Sequence, residues 1–290
     1  MKPTATLDAA LQHSAGPEDR MVGLASGPMR VRRHGAATAP LAIGVPGLSA
    51  NCFTFEAIGE SLAGKGRALA AVDLRGRGRS PAGARGTHGW ESHARDVLAV
   101  ADALGASRFD FIGHSMGAFI GLVVANLAPE RVRRLVLIDA VGVPDSRAMP
   151  PIFAAVNRLN TVHPSADAFI AKVKAAGIVP WSRFWEAHYR EDLVEVPGGV
   201  QQRANQTAVL EDLGYAAVTQ VRELWPGVGA STLLVRAAQS LGLGGDVITA
   251  DDRQAFLKTA PRAKAVEIDA NHYGVINHPD TARAVEEFLR

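Results

Sequence analysis

Gly113-His114-Ser115-Met116-Gly117 is the stretch that decides the fold, and it follows directly on the apolar run at residues 109–112. A helix-like run at residues 118–127 comes behind it. A serine at a sharp turn from strand to helix is strained, and only small neighbours leave room for the chain to fold back. The two glycines supply that room. The hydroxyl group of Ser115 is then exposed near the positive end of the helix, which indicates a nucleophile rather than an ordinary turn serine.

Short β-type runs alternate with longer helical segments on both sides of this turn. Strands are predicted at residues 29–33, 41–45, 68–73, 109–112, 135–139, 232–236 and 265–268, and helices at 55–62, 90–104, 118–127 and 279–289. Near-continuous apolar strands that alternate with helices favour a mainly parallel sheet covered by helices on both faces.

The strand–helix alternation stops between residues 143 and 229. This stretch contains many large rings, among them Phe169, Trp181, Trp185 and Tyr189. We expect some of them to form a small core and others to line a pocket. The sequence therefore predicts a core of residues 1–142 and 230–290 and a helical lid at 143–229, above the strand ends where such sheets bind ligands. The first 25 residues are predicted to be a helical or loosely held extension.

Composition and charge fit one large α/β domain with an inserted subdomain. Of the 290 residues, 47% are hydrophobic and 21% charged, as in ordinary globular proteins. The net charge is +2 and no long basic block occurs, so no nucleic-acid partner is predicted. The arginines at positions 75, 77 and 79 are interpreted as a solvated loop. The single cysteine, Cys52, indicates neither a disulfide nor a metal site.

The sequence also predicts a cytoplasmic protein. Residues 1–8 lack the apolar core of a signal peptide, and no apolar stretch reaches the roughly 18 residues that a membrane span requires. Both a monomer and a homodimer remain open.

Four motifs in a fixed order give the chain a resemblance to a known family. They are Val45-Pro46-Gly47-Leu48, Asp73-Leu74-Arg75-Gly76-Arg77-Gly78-Arg79-Ser80, Gly113-His114-Ser115-Met116-Gly117 and Asn271-His272. With these motifs, from about Met29 to Arg290, the chain resembles the serine-nucleophile, lidded branch of the α/β-hydrolase superfamily. The resemblance implies a doubly wound, eight-stranded type of sheet with a helical lid insertion. It also implies a serine–histidine–acid hydrolase.

The resemblance implies a role for several residues. Ser115 would attack a carbonyl carbon after losing its proton to His272, because a free serine hydroxyl is a weak nucleophile at neutral pH. The backbone N–H groups of Leu48 and Met116 would receive the negative charge that develops on the carbonyl oxygen. Pro46 stands where a histidine usually precedes the glycine, a departure that does not remove the Leu48 amide.

Two aspartates remain open as the acid of the triad. The family's usual acid follows the strand predicted at 232–236, but residues 237–241 contain no carboxylate. Asp139 ends the strand predicted at 135–139, and Asp246 follows a glycine-rich insert that could displace the usual acid. Each could instead be a structural cap. The end of a strand fixes a side chain better than a flexible loop does, which favours Asp139 over Asp246.

The predicted function is a cofactor-free serine hydrolase that cleaves a carboxylic ester, thioester or lactone with an apolar acyl part. The alternatives are a carbon–carbon bond hydrolase or a perhydrolase of the same fold, and a ligand-binding receptor with little turnover. The glycine patterns Gly242-x-Gly244 and Gly76-x-Gly78 both lack the third glycine of a dinucleotide fingerprint, so no nucleotide cofactor is expected.

Overall fold

An eight-stranded sheet forms the centre of residues 16–290, the part of the chain that this computed structural model describes. The strands of the chain are β1 (Glu18–Leu24), β2 (Gly27–His34), β3 (Leu41–Val45), β4 (Ala68–Val72), β5 (Phe109–His114), β6 (Val132–Ile138), β7 (Leu193–Val196), β8 (Gly199–Gln202), β9 (Ser231–Ala237) and β10 (Ala263–Ile268). The sheet has the order β1-β2-β4-β3-β5-β6-β9-β10. Strand β2 is antiparallel to both its neighbours and every other pairing is parallel, which confirms the predicted sheet.

Helices cover both faces of this sheet. They are α1 (Glu56–Ala63), α2 (Trp90–Ala103), α3 (Met116–Leu127), α4 (Pro150–Arg158), α5 (Ala166–Ala175), α6 (Arg183–Glu191), α7 (Gln206–Val218), α8 (Ala250–Thr259) and α9 (Pro279–Leu289). Successive residues of a strand point to opposite faces, so Leu135 and Leu137 pack with α2 and α3, whereas Val136 and Ile138 pack with α1 and α9. None of the described helices is long and apolar enough to span a membrane.

Strand β1 corrects the prediction for the beginning of the chain. Residues 18–24 are not an extension but an edge strand, joined by a turn at Ala25 and Ser26 to β2, whose first residue, Gly27, has a φ of 117°. Within β1 only Val22 is buried, so the strand lacks the apolar alternation by which a sequence signals strand structure. Residues 1–15, the rest of the predicted extension, lie outside the described part.

The chain leaves the sheet after β6 and returns to it at β9. The intervening segment contains α4 to α7, but it also contains the antiparallel hairpin β7–β8. The prediction of a purely helical insertion is therefore wrong at residues 193–202. The hairpin turns at Pro197 and Gly198, and the φ angles of Gly198 and Gly199, 91° and 145°, favour glycine. Pro197-Gly198 between two short runs rich in valine was a turn signal that the helical interpretation missed.

Candidate active site

The turn between β5 and α3 holds Ser115 in a strained conformation. Its φ is 54°, in the left-handed region that non-glycine residues seldom adopt. The Ser115 N–H donates to the Ile138 carbonyl of neighbouring β6, at 2.9 Å. A Cβ atom on Gly113 would collide with the backbone of Gly117, and one on Gly117 would collide with the carbonyl oxygen of Val45. The turn therefore closes because both flanking residues are glycine.

We expect Gly117→Ala to lower the free energy of unfolding by about 1–3 kcal/mol, since its methyl group must displace backbone at the end of β3. The matched control is Gly214→Ala in α7, where a Cβ meets no atom within 4 Å. There alanine should raise stability by up to about 1 kcal/mol, because it favours helix more than glycine does. Urea unfolding of both variants measures the difference, and equal stabilities would contradict the prediction.

Ser115, His272 and Asp139 form one hydrogen-bonded chain. His272 Nε2 lies 3.0 Å from Ser115 Oγ, and His272 Nδ1 lies 2.9 Å from Asp139 Oδ2. Both His272 and Asp139 are buried, whereas Ser115 is partly exposed. A proton on Nδ1 that is donated to Asp139 leaves Nε2 free to accept from the Ser115 hydroxyl.

The end of β6 fixes the carboxylate of Asp139. This residue also adopts a left-handed backbone, with a φ of 49°, and its Oδ1 accepts the N–H of Ala237 at 2.9 Å. Strands β5 and β6 are parallel neighbours, so Ser115 and Asp139 follow strand ends at the same edge of the sheet. This adjacency explains why one imidazole reaches both residues.

Asp246 lies elsewhere and does not contact His272. Its Oδ2 accepts from Arg236 Nη2 and its Oδ1 from the Ser240 hydroxyl, each at 2.8 Å. Both contacts are those of a loop anchor. Of the two aspartates that the sequence left open, the structure brings only Asp139 to the histidine.

A second histidine, His114, packs against His272. Their ring centroids are 4.9 Å apart, and His114 Nε2–H donates to the His272 carbonyl oxygen at 3.1 Å. Burial, followed by the nearby imidazole of His272, lowers the pKa of His114 well below its usual value. His114 therefore stays neutral and can hold the backbone of His272 without adding a second positive charge beside its ring.

The predicted oxyanion donors, Leu48 and Met116, lie at the ends of β3 and β5. Met116 is the first residue of α3, so its N–H has no acceptor within the helix. Gly47 lies against Ser115, since a Cβ on this glycine would be 3.2 Å from Ser115 Cβ. The loop that carries Leu48 therefore passes directly beside the serine.

Arg77 ties this loop to the segment between β6 and β9. Its Nε donates to the Leu48 carbonyl at 2.8 Å, and its Nη2 pairs with Asp212 of α7 at 2.5 Å. Asp212 also contacts His93 Nε2 and the Gly89 N–H. Arg77 is fully buried, so the interpretation of the arginine stretch as a solvated loop is wrong at this position.

A cavity of about 90 Å³ opens above Ser115 and His272. Its wall includes Trp185 and Tyr189 of α6, whereas Phe169 of α5 packs in the interior, as expected for a ring-rich insertion. Six polar residues of this wall were not predicted, because they belong to no recognised motif and most are far apart in the chain: Ser49, Thr54, Arg158, Asp192, Gln202 and Tyr273. Within residues 16–290 no group of three or more His, Cys, Asp or Glu side chains could hold a metal ion.

The family is established by a sequence match that runs from β3 through the elbow at Ser115 to the beginning of α7. The profile described as the alpha/beta hydrolase fold matches residues 43–210, more than half of the chain. The chain belongs to the α/β-hydrolase fold family, as its motifs predicted.

Individual relatives differ in the bond they are named for. The RutD protein of Variovorax paradoxus, named provisionally as a carbamate hydrolase, is 28% identical over 168 residues, 58% of this chain and 61% of the relative. The N-formylmaleamate deformylase of Pseudomonas putida is 35% identical over 127 residues, 42% of this chain and 47% of the relative. The chain thus matches less than two thirds of the length of either protein.

One solved structure has the same fold as this chain over nearly its whole length. The crystal structure of E-2-(acetamidomethylene)succinate hydrolase superposes with a TM-score of 0.83, covering 94% of this chain and 99% of the other. The identity is 22%, so this likeness concerns the fold alone.

Proposed function

We propose that this chain is a serine hydrolase that cleaves a small carboxylic ester, thioester or lactone through an acyl-enzyme on Ser115. The observation that carries the proposal is the chain of hydrogen bonds from Ser115 through His272 to Asp139, which opens on the cavity. The cavity is small and partly lined by apolar groups, which favours a compact substrate. A cytoplasmic location is part of the same proposal.

In the first half of the reaction, His272 Nε2 takes the proton of the Ser115 hydroxyl while Oγ forms a bond to the carbonyl carbon. The electron pair of the C=O bond moves to the oxygen, where the N–H groups of Leu48 and Met116 receive the charge. Collapse of this intermediate breaks the bond to the leaving group, which takes the proton from His272. The acyl group remains on Ser115.

In the second half, a water molecule takes the place of the leaving group. His272 accepts its proton as the water oxygen attacks the acyl carbon, and the proton returns to Ser115 when the acid product leaves. Asp139 holds the imidazole in the required tautomer and stabilises its charged form. The segment at 143–229 would act as the lid that excludes bulk water, since α6 supplies part of the cavity wall.

A second candidate is the cleavage of a carbamate or an amide bond. The names of the two bacterial relatives support it, and so do the polar groups of Asp192 and Gln202 in the cavity wall. The same steps apply, with an amine in place of the alcohol as the leaving group. The carbon–carbon hydrolase alternative is supported by the name of another relative, the 2-hydroxymuconate semialdehyde hydrolase of Pseudomonas putida, which is 44% identical over 80 residues, 27% of each chain. The perhydrolase and receptor alternatives stay predictions without an observation of their own.

Labelling with a fluorophosphonate tests the nucleophile directly. Because His272 activates its hydroxyl, Ser115 should form a covalent adduct within minutes, and peptide mass spectrometry should place the added mass on this residue. Ser49 lines the same cavity and is the matched control. Ser49→Ala should be labelled like the wild type, whereas an adduct on Ser49 or no adduct at all would contradict the proposal.

A further inference from the structure

A second polar feature of the cavity plays no part in the reaction described above. Asp192, directly after α6, lines the same cavity as Ser115, and its side chain is 2% exposed. Its carboxylate accepts from Gln202 Nε2 at 3.0 Å and from Asn51 Nδ2 at 3.4 Å, both neutral amides. Among residues 16–290 no Lys, Arg or His forms an ion pair with it.

Such a carboxylate is costly to bury. Removal from water raises the pKa of Asp192 to about 7, and the two amide contacts, together with the charge of Arg203, offset this only in part. Buried charges in proteins are normally paired with a cation or used by a ligand. The free-energy cost of burying the Asp192 carboxylate is therefore explained if a bound ligand supplies the hydrogen-bond partner that the protein lacks.

Two neighbouring polar atoms are also unsatisfied. Gln202 Oε1 and Thr54 Oγ1 are buried and have no hydrogen-bond partner in the described part of the chain. Both residues line the cavity, and their exposed fractions are 6% and 2%. A network that served only to hold β8 against residues 51–54 would satisfy its own polar atoms, as buried networks normally do. Here the two unsatisfied groups, the Gln202 side-chain oxygen and the Thr54 hydroxyl, belong to residues that line the cavity above Ser115, where a ligand can bind.

The charges of the wall favour a neutral ligand over a cation. Arg158 of α4 lines the cavity too, and its guanidinium group has no acidic partner within residues 16–290. A second positive charge in so small a space would be repelled. An N–H group can donate to Asp192 or Gln202 without carrying charge.

We propose that Asp192, Gln202 and Thr54 form a polar subsite that binds an uncharged N–H donor, so that the preferred substrate carries a primary amide or carbamate NH₂ group. This subsite deepens the proposed function and rests on it, because it selects substrates for the cavity of Ser115. Asp192 and Gln202 accept hydrogen bonds from the NH₂ group, and the Thr54 hydroxyl donates to an adjacent carbonyl oxygen.

Binding of two small isosteres tests the subsite without relying on catalysis. Propanamide and butan-2-one differ only in an NH₂ group against a CH₃ group, and ligand-observed NMR titration gives a Kd for each. The titration is run at pH 8, where an Asp192 carboxyl with a pKa of about 7 is mostly ionised. A hydrogen bond to this charged acceptor predicts that propanamide binds the wild type about tenfold more tightly. Propanamide should also slow fluorophosphonate labelling of Ser115, which places it in this cavity.

Three variants test which residues cause the preference for propanamide over butan-2-one. Asp192→Asn and Gln202→Met should each lower the Kd ratio to about two, since each removes one acceptor. Asp252→Asn is the matched control: its carboxylate is equally buried but contacts Arg222 and the Val143 N–H, and it does not line the cavity. This variant should keep the ratio of the wild type. If Asp192→Asn does not fold, Gln202→Met carries the comparison.

Two results would overturn the subsite. A wild-type ratio near one means that the NH₂ group finds no acceptor, and an undiminished ratio in both Asp192→Asn and Gln202→Met means that the acceptors lie elsewhere. Neither result affects the nucleophile, which the adduct on Ser115 tests. Conversely, if Ser115 is not labelled but propanamide still binds tenfold more tightly than butan-2-one, the polar subsite is supported and the proposed hydrolase activity is refuted.

Discussion

Ser115→Ala is expected to reduce kcat for 4-nitrophenyl acetate by about 10⁴–10⁶-fold, the range typical for loss of a serine nucleophile. Without Oγ no acyl-enzyme can form, and only the groups that polarise the substrate carbonyl remain in the cavity. The side chain is small and partly exposed, so the variant should unfold at nearly the wild-type temperature. Initial rates and thermal unfolding, measured on the same preparation, separate lost chemistry from lost fold.

The control for Ser115→Ala is Ser49→Ala, which removes a hydroxyl from the same cavity and leaves the hydrogen-bonded chain to His272 intact. It should retain turnover within about threefold, as expected of a residue without a role in the reaction. If Ser115→Ala hydrolyses the ester as fast as the wild type, the acyl-enzyme mechanism is refuted. If the wild type itself turns over no ester, carbamate or amide but binds propanamide, the receptor alternative gains support.

The second large effect is expected for Asp139→Asn, with a loss in kcat of about 10⁴-fold. The asparagine oxygen can keep the bond to the Ala237 N–H, which leaves the NH₂ group facing His272 Nδ1. Nδ1 must then accept, so the proton moves to Nε2, the atom that has to receive the proton of Ser115. The imidazole is thus present in the wrong tautomer. Steady-state kinetics of the purified variant measures the loss.

Asp246→Asn is the matched control for this prediction, because the same atom is changed in the aspartate that the sequence could not exclude. Its carboxylate contacts Arg236 and Ser240, so we expect kcat to change by less than about twofold. A large loss in Asp246→Asn with full activity in Asp139→Asn would transfer the role of the acid to Asp246. Equal and small effects would show that His272 needs no carboxylate.

Much of the fold was predictable because its signals are local. The parallel strands are buried on both faces, so they are continuous apolar runs such as residues 41–45, and the structure has a strand at that position. The elbow at Ser115 was readable because its geometry requires glycine on both sides. The edge strand β1 and the hairpin β7–β8 were missed because they are exposed or short and lack such a pattern.

The sequence by itself determined the class of fold and the two residues, Ser115 and His272, whose neighbours define a motif. Only the tertiary structure shows which of Asp139 and Asp246 contacts His272, because that contact depends on which strand ends lie side by side at the edge of the sheet. It also decided the composition of the cavity, where Thr54, Asp192 and Gln202 meet from three separate parts of the chain. A sequence motif reflects steric requirements between residues that are close in the chain. The wall of a cavity depends instead on how elements that are distant in the chain pack together, and no local sequence pattern specifies that packing.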